Sequence, residues 1–519
     1  MDVDEELRQA GDFGRFQKLL VVFYGTVTGT TAVCFNSYLY TGRAVAPACP
    51  PDAQGCDADN VCDFVSGYGP SAPLTTYAVQ FDLVCDRAYL LTAATSSLFA
   101  GFGVGNWAGG VLSNRHGRRI TCVLGALLVP IAHLVMVLCT DVGALIAVRF
   151  FLGVFSGVQN VAGWTLLMEY VGSESRAAAG GFLWFVWTCW QCSAALVAYL
   201  CDSHAGAWAG GLAGWRATTI CLSVPALLAT LAALPLLPES PRFLAMAREE
   251  GRARAALARV ARVNGRPRPV AAPRKDRGEI AAPAGMPALR TADLLCGGAT
   301  TRGVPISRMI LVTSFLWFAS TASYYGLSIS ISDMAGSVYV NNLVGSALEG
   351  PAYAFTGFFC EWMGRQRVML LTLISTGLCC IVLSLAGDTA QVGWRMLSFV
   401  AKFGAALAFS SVYVWTAELF PTDARTVAFG LCNAVARTGG ILAPVIVQLS
   451  SVAAMLPALI FGALSLAGAL VCLALPETRG TPLQDHLEPP APSTRKRRGD
   501  ARGGSGAGAE PLLVAAGDV

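Results

Sequence analysis

The sequence predicts an all-α membrane protein with twelve spanning helices in two pseudo-symmetric six-helix bundles. The chain of 519 residues is 54% hydrophobic and only 13% charged, a composition too apolar for a soluble protein of this length. It contains about twelve apolar runs of roughly 20 residues, which is the length that a helix needs to cross a bilayer. Six runs precede a polar segment and six follow it.

Charged residues at the ends of these runs recur at a nearly constant spacing in the two halves of the chain. The repeated pairs are Arg149 and Arg395, Arg118 and Arg365, Glu169 and Glu418, and Arg176 and Arg425. An internal repeat built from hydrophobic spans indicates a transporter made of two similar bundles. We therefore expect the functional site at the interface between the halves.

The predicted spans divide the chain into five parts. In order, the spans are 19–40, 88–112, 120–140, 144–168, 177–200, 217–237, 309–331, 338–360, 368–387, 393–416, 426–449 and 454–475. The parts are an N-terminus (1–18), an N-terminal bundle (19–237) with a long loop at 41–87, a polar segment (238–308), a C-terminal bundle (309–475) and a tail (476–519).

Arginine placement predicts the orientation in the membrane. The short loops on the side of the amino terminus carry seven arginines, against Arg216 alone in the short loops of the other side. The seven are Arg115, Arg118, Arg119, Arg176, Arg365, Arg367 and Arg425. By the positive-inside rule both termini are cytoplasmic, and we expect a multi-pass protein of the plasma membrane. The acidic start MDVDEE does not resemble a cleavable signal peptide, so the first span is expected to direct insertion.

This orientation places the loop 41–87 outside the cell, where thiols meet an oxidising environment. The loop contains Cys49, Cys56, Cys62 and Cys85. Two disulfides are expected there, in any of three pairings, and the alternative is that some of these cysteines stay free.

The polar segment 238–308 is basic. Its first part, 241–262, predicts one or two amphipathic helices on the inner membrane face, with Phe243, Leu244, Leu257 and Val260 as apolar contacts. The rest of the segment and the end of the tail are predicted to be disordered. Anionic inner-leaflet lipid is the expected partner of this basic stretch, in preference to nucleic acid.

Two loops carry a recognisable pattern. The sequence GGVLSNRHGRR at 109–119 and its second copy GFFCEWMGRQR at 357–367 combine glycines, which let helices turn and pack closely, with arginines that can pair with acids at neighbouring helix ends. Both loops resemble the signature loop of the major facilitator superfamily. A positive-inside loop alone would not require the second copy.

Further motifs resemble solute carrier family 22, the organic cation, anion and zwitterion transporters. They are DFGRFQK at 12–18, QFDLVCD at 80–86, PESPRFL at 238–244, KF at 402–403, AELFPTDAR at 417–425 and PETRG at 476–480. The resemblance runs from the first residues to about position 480 and implies a polyspecific carrier that works by alternating access.

The resemblance implies a set of gating residues near the signature loops. They are Asn114, Arg115, Arg118, Arg119, Glu169, Arg176, Glu361, Arg365, Glu418 and Arg425. The family has an acid where this chain has Asn114, which can hydrogen-bond but cannot form a salt bridge, whereas the second loop retains Glu361. The loop 41–87 also lacks the Asn-x-Ser/Thr sequence that is typical of the family.

Charges inside the spans are candidates for substrate binding, because an ionised side chain near the bilayer centre costs about 3 kcal/mol or more unless it is paired or hydrated. Arg437 lies near the middle of the eleventh span. In the family that this chain resembles, anion carriers have arginine at this position and cation carriers have aspartate. The guanidinium of an arginine fits a carboxylate or sulfate. The alternative is that a nearby acid neutralises Arg437. Lys402 and Glu349 are further candidates, and Tyr353 stands where anion carriers often have a second lysine.

Aromatic residues are expected to complete a central pocket, because flat rings accept varied organic skeletons. They are Trp317, Tyr324, Tyr325, Phe409, Tyr413, Phe185 and Trp187, at positions where the family lines its cavity. The alternative for each of them is ordinary packing or contact with lipid.

The sequence lacks the patterns of an enzyme or a pump. No nucleophile–base set, ATP-binding loop or group of metal ligands stands out, so no cofactor or metal is expected. Cys189 and Cys192 have redox spacing but lie within a span. A series of glycines, Gly101, Gly103, Gly105 and Gly109, imitates a nucleotide loop but favours close helix contact.

We therefore expect a transporter of small organic ions, with anions favoured. The alternatives are a cation or zwitterion carrier that uses Glu349 as the counter-charge, and a membrane receptor that kept the fold without transport. The second alternative is motivated by Asn114 and the altered outer loop.

Overall fold

A computed structural model describes residues 3–270 and 300–481. Short gaps lie at 12, 44, 46–48, 50–60, 66, 69–75, 173–174, 204–213, 302–303, 335 and 386–391. Of the segments predicted to be disordered, residues 271–299 of 263–308 and the whole tail after Leu487 lie outside the described residues. The prediction is wrong at 300–301 and 304–308, which form a strand pair and the start of a long helix.

In the described part of the chain, twelve helices of 17 or more residues, α1 to α12, form the body of the protein, and each corresponds to one predicted span. They are α1 (Arg15–Asn36), α2 (Ala88–His116), α3 (Arg118–Val135), α4 (Val142–Met168), α5 (Arg176–Ser203), α6 (Gly214–Ala233), α7 (Ile306–Ser332), α8 (Val338–Met363), α9 (Arg365–Leu385), α10 (Val392–Leu419), α11 (Thr422–Gln448) and α12 (Leu456–Cys472). Ten are long and apolar enough to cross a membrane. The other two are α12, which is apolar but only 17 residues long, and α8, which carries Glu349 and Glu361.

Short elements connect these helices. The short α-helices are Val3–Ala10, Tyr38–Thr41, Val61–Phe64, Tyr77–Gln80, Pro241–Met246 and Glu250–Asn264, and 3₁₀ turns lie at Cys85–Arg87, Met136–Leu138, Leu234–Leu236 and Leu449–Ser451. The strands Thr300–Thr301 and Val304–Pro305 pair antiparallel just before α7.

The helices pack as two halves. Helices α1–α6 contact mainly one another, as do α7–α12, and the halves meet where α2 packs against α11 and α5 packs against α8. We call the end of the molecule that carries Arg118 and Arg365 the arginine end, and the opposite end, where residues 61–87 lie, the disulfide end. The functional residues predicted at the interface therefore lie on helices that do meet.

Glycines bring α2 and α4 into backbone contact. A Cβ atom added at Gly101 would overlap the carbonyl oxygen of Phe150, and one added at Gly105 would overlap that of Val154. Gly109 approaches Val158 in the same way. Close helix contact is thus the structural role of three of the glycines singled out in the sequence.

The disulfide end contains one of the expected bonds, between Cys62 and Cys85. Cys49 is also disulfide-bonded, while Cys56 lies outside the described residues. The Cys62–Cys85 bond ties the helix Val61–Phe64 to the turn that leads into α2.

The polar segment packs on protein rather than on the membrane face. Leu257 and Val260 of the helix Glu250–Asn264 are fully buried in a cluster with Leu7 of the N-terminal helix, and Leu244 is 5% exposed. Leu244, Leu257 and Val260 therefore do not contact the bilayer as predicted, whereas Phe243 is partly exposed. Asn264 fixes the arrangement, because its Oδ1 accepts from the Phe16 backbone N–H at 2.8 Å at the start of α1.

Two alanine substitutions on α2 test the close contact between α2 and α4. Gly105→Ala places a methyl group against the backbone of Val154 and should lower the free energy of unfolding by about 1–3 kcal/mol. Gly110→Ala is the matched control, because a Cβ atom there meets nothing within 4 Å. Thermal unfolding in detergent gives the melting temperature of each purified variant. Equal melting temperatures would contradict the close contact between α2 and α4.

Candidate functional site

A buried ion pair occupies the middle of the C-terminal half. The Nζ atom of Lys402 on α10 lies 2.8 Å from Oε1 of Glu349 on α8, and the two residues are 3% and 4% exposed. The Tyr324 and Tyr353 hydroxyls donate to Oε2 of Glu349 at 2.8 and 3.3 Å. Lys402 also donates to the Ser328 hydroxyl. Both charges are therefore paired and hydrogen-bonded, and a cavity of only about 20 Å³ lies beside them.

Arg437 on α11 is the second buried cation of the centre, and its surroundings differ. It is 4% exposed. Asn433 Oδ1 accepts from its Nε at 3.0 Å and from its Nη2 at 2.5 Å, and its Cζ lies 4.4 Å from the centroid of the Phe102 ring on α2. Tyr325 and Tyr413 also interact with it. Among the described residues no carboxylate lies within ion-pair distance of this guanidinium, so its charge is solvated but not cancelled.

Arg437 lies away from the described cavities. It lines neither the small cavity beside Lys402 nor a larger one near the disulfide end. It lies instead in the contact between α2 and α11, where Phe102 and Gly103 approach it from the other half. Arg437 is therefore covered by α2 in this arrangement of the two halves.

The larger cavity, of about 250 Å³, lies between the halves at the disulfide end. Its lining includes Tyr38, Arg43, Thr92, Thr95, Asp333 and Gln448. Phe99 lies one helical turn below Thr95 on α2 and is fully buried, with its ring 4.6 Å from that of Tyr325. This aromatic pair stands between the cavity and the level of Arg437.

Most of the predicted aromatic residues lie together at the centre. Tyr324 stacks on Phe409 at 5.1 Å, and Trp317 contacts Tyr413 at 4.4 Å. Trp317 is fully buried and donates to Thr416 within the C-terminal half, so it also serves as core. The structure thus brings together aromatic residues of α7 and α10.

The sequence reasoning missed two tryptophans of the N-terminal half that complete this cluster. Trp184 on α5 contacts Tyr353 at 5.7 Å and Tyr413 at 5.9 Å, and Trp164 on α4 contacts Tyr413 at 6.1 Å. Trp187 reaches the cluster only through Trp184. Phe185 does not join it, since this side chain is 42% exposed and stacks on Phe182. Aromatic contact therefore bridges the halves near their middle.

At the arginine end, Arg118 links helix ends of the N-terminal half. Its Nε lies 3.3 Å from Glu169 Oε2, and its Nη1 donates to the Ser113 carbonyl at 3.3 Å. Its guanidinium also lies 4.9 Å from the Phe243 ring. The side chain of Asn114 is exposed, as are those of Arg115 and Arg119.

Arg365 occupies the equivalent place in the C-terminal half and has two acidic partners. Its Nη2 lies 2.9 Å from Glu418 Oε1 and also pairs with Glu361. The second half therefore has a three-residue ion cluster where the first half has a pair, as expected from Asn114. Arg425 donates to the Phe420 carbonyl at 3.2 Å. The side chain of Arg176 lies outside the described residues.

Two glutamates explain the repeated PESPR and PETRG motifs, to which the sequence reasoning assigned no gating role. Glu239 Oε1 accepts from the backbone N–H groups of Arg118 and Arg119 at 3.0 and 3.1 Å. Glu477 accepts in the same way from Arg365 at 3.0 Å and from Gln366 at 3.1 Å. Each carboxylate caps the free N–H groups at the start of a helix, α3 or α9. The sequence feature that could have indicated this capping role was the recurrence of the motif at 238–242 and 476–480.

The environment of Glu477 shows the strength of this cap. Burial alone would raise its pKa, but backbone N–H groups of Arg479, Arg365, Thr478 and Gln366 stabilise the carboxylate and hold the pKa below its ordinary value. The cap therefore stays charged at neutral pH, and its contribution to stability is lost only when the pH falls through this lowered pKa.

Comparison with known proteins agrees with this architecture. Residues 28–487 match the family model described as sugar (and other) transporter. The proton:xylose symporter XylE bound to 6-bromo-6-deoxy-D-glucose superposes with a TM-score of 0.61 at 17% identity, covering 90% of this chain and 97% of that chain. The structural match gives the chain the fold of the major facilitator superfamily. The family model, which covers most of the chain, shows that the protein is a multi-pass membrane transporter for a small molecule and not an enzyme.

Sequence relatives narrow the family. Solute carrier family 22 member 13 of Homo sapiens is 31% identical over 427 residues, which is 82% of this chain and 73% of the relative. A solute carrier family 22 member 15-like protein of Xenopus laevis is 28% identical over 492 residues, 94% of this chain and 96% of the relative. The chain belongs to solute carrier family 22, as its motifs predicted.

Removal of one cap tests its role at the arginine end. Glu239→Ala should lower the free energy of unfolding by about 1–2 kcal/mol, because the N–H groups of Arg118 and Arg119 lose a charged acceptor. Glu250→Ala is the control, since Glu250 only pairs with Arg254 on an exposed helix surface. Thermal unfolding curves measure the melting temperature of each variant. Equal decreases in the two variants would show that Glu239 does not act as a cap.

The buried ion pair makes a non-additive prediction. Either Lys402→Met or Glu349→Gln leaves one buried charge without its partner and should cost about 3–5 kcal/mol of stability. The double variant should recover most of that loss, because neither charge remains. A double-mutant cycle from unfolding measurements checks this, and additive losses would mean that the two side chains do not interact.

Proposed function

We propose that the protein transports small organic ions, organic anions in preference, by alternating access of its two halves. The observation that carries this proposal is the contrast between two buried cations. Glu349 neutralises Lys402, whereas the described contacts of Arg437 are an amide and aromatic side chains. The centre therefore keeps one positive charge, and a carboxylate or sulfate can pair with the planar guanidinium in a bidentate manner.

The arrangement of Glu349 argues against a cation as the favoured substrate. One carboxylate oxygen faces Lys402, and the other accepts from Tyr324 and Tyr353. An organic cation would have to displace Lys402 and leave it unpaired in a buried place, which is costly. An anion at Arg437 displaces no counter-charge.

The aromatic cluster supports a broad substrate range. The rings of Tyr324, Phe409, Tyr413 and Trp184 come from both halves and meet near the middle of the molecule. Flat apolar faces bind varied organic skeletons with little directional demand. The charged group of the substrate would then be fixed by Arg437 and its body by the rings.

Opening toward the disulfide end would start from the existing cavity there and pass the pair Phe99–Tyr325. The ion pairs of Arg118 and Arg365 would hold the helix ends of each half together at the arginine end and stabilise the outward-facing state. The excess of arginines predicts that this end faces the cytoplasm, with both termini, in the plasma membrane.

Uptake into proteoliposomes tests the role of Arg437. The solutes are 4-nitrophenyl sulfate, benzoate, glutarate and, as the cation, tetraethylammonium. Uptake of at least one anion by the parent protein should exceed that of the cation, and Arg437→Ala should lower it about tenfold or more, since a charge-assisted pair is lost. Arg252→Ala, on an exposed helix surface, serves as the control.

Three results would contradict the proposal. Equal anion uptake by Arg437→Ala and the parent would remove Arg437 from substrate binding. Preferential uptake of tetraethylammonium would favour a cation carrier, and the absence of uptake for every solute would favour a receptor without transport.

A further inference from the structure

We infer that the neutrality of Asn433 and Asn106 keeps the central site suited to anions, because these two side chains solvate Arg437 without cancelling its charge. The two are positioning residues that act through Arg437, so this inference rests on the proposed function. No sequence motif singles them out, but Asn433 precedes Arg437 by four positions, which is one helical turn.

The two amides approach the guanidinium from opposite halves. Asn433 Oδ1, on the same helix as Arg437, accepts from Nε at 3.0 Å and from Nη2 at 2.5 Å. Asn106 lies on α2, and in the amide orientation that satisfies both of its neighbours, Oδ1 accepts from Arg437 Nε at 3.2 Å while Nδ2 donates to the Gly157 carbonyl at 3.2 Å. Asn106 thus connects Arg437 to α4 as well.

An amide and a carboxylate have opposite consequences at this position, although they have nearly the same shape. Both accept hydrogen bonds from a buried guanidinium and lower the cost of its burial. Only the carboxylate cancels the positive charge. The face of the Phe102 ring, 4.4 Å away, likewise stabilises the cation without neutralising it. Arg437 therefore remains able to pair with an anion that comes from outside.

The location of each asparagine predicts a distinct role. Asn433 travels with Arg437 because both lie on α11, so it tunes the charge in every conformation. Asn106 lies across the interface, and its bond to Arg437 breaks when α2 and α11 separate. A substrate anion would then replace Asn106 and Phe102 as the partner of the guanidinium. A negative charge at position 433 should therefore weaken substrate affinity, and a negative charge at position 106 should slow the conformational cycle.

Aspartate substitutions separate these roles, with serine substitutions as neutral controls. Uptake of 4-nitrophenyl sulfate and glutarate is measured in proteoliposomes with equal amounts of purified protein. Asn433→Asp should raise KM about tenfold or more with kcat changed less than about threefold, since the new carboxylate neutralises Arg437. Asn433→Ser should keep KM within about threefold of the parent value.

Substitution at Asn106 should give the complementary result. Asn106→Asp creates an ion pair between the halves that must break in each cycle, so kcat should fall about tenfold or more, whereas Asn106→Ser should keep it within about threefold. The melting temperature of each purified variant shows whether it folds. If Asn433→Asp does not fold, the substitutions at Asn106 still test the inference.

The outcomes distinguish this inference from the proposed function. A parental KM in Asn433→Asp together with a parental kcat in Asn106→Asp overturns the inference, as do equal effects of the aspartate and serine variants. Arg437→Ala is measured alongside. If it impairs anion uptake while both aspartate variants behave as the parent, the proposed function stands and only the role of the asparagines is lost. If Arg437→Ala has no effect, the proposed function itself fails.

Discussion

The cost of burying a charge is the constraint on which the centre of this protein depends. A charged side chain inside a membrane protein must be paired, hydrated or solvated by polar groups. Lys402 meets this requirement with a carboxylate, and Arg437 meets it with neutral groups. The first arrangement is closed to solutes because it is already neutral, whereas the second leaves a charge that an anion can satisfy. This difference supports a structural role for Lys402 and the proposed role of Arg437 in substrate binding.

Ionic and neutral contacts are distributed differently within and between the halves. The ion pairs of Arg118, Arg365 and Lys402 each join residues of one half. Contacts between the halves include aromatic pairs and neutral hydrogen bonds, such as that from the Ser96 hydroxyl to the Ile441 carbonyl at 2.9 Å. The cation contacts of Arg437 with Asn106 and Phe102 also cross the interface, but they involve neutral partners. Ion pairs inside each half keep it rigid, and the contacts between the halves can break without separating two opposite charges. Such a distribution suits two bodies that rock against each other.

Sequence reasoning predicted the architecture well, because apolar runs and repeated charges carry direct physical information. It also placed Glu349, Lys402 and Arg437 on the helices that form the centre. It could not predict which residues contact these three side chains. Asn106 is far from Arg437 in sequence, so only the packing of α2 on α11 brings them together. Similarly, the periodicity of an apolar helix does not reveal which aromatic side chains face the partner half, so Trp184 was missed.

The central claim is that the uncompensated guanidinium of Arg437 receives the charged group of the substrate. A structure of the purified protein with bound 4-nitrophenyl sulfate, determined by electron cryomicroscopy, tests it most directly. Our account predicts the sulfate within hydrogen-bonding distance of the Arg437 guanidinium, the Phe102 ring displaced from it, and the ion pair of Lys402 with Glu349 intact. A sulfate bound at Lys402, or Arg437 still packed against Phe102 with the ligand elsewhere, would contradict the account.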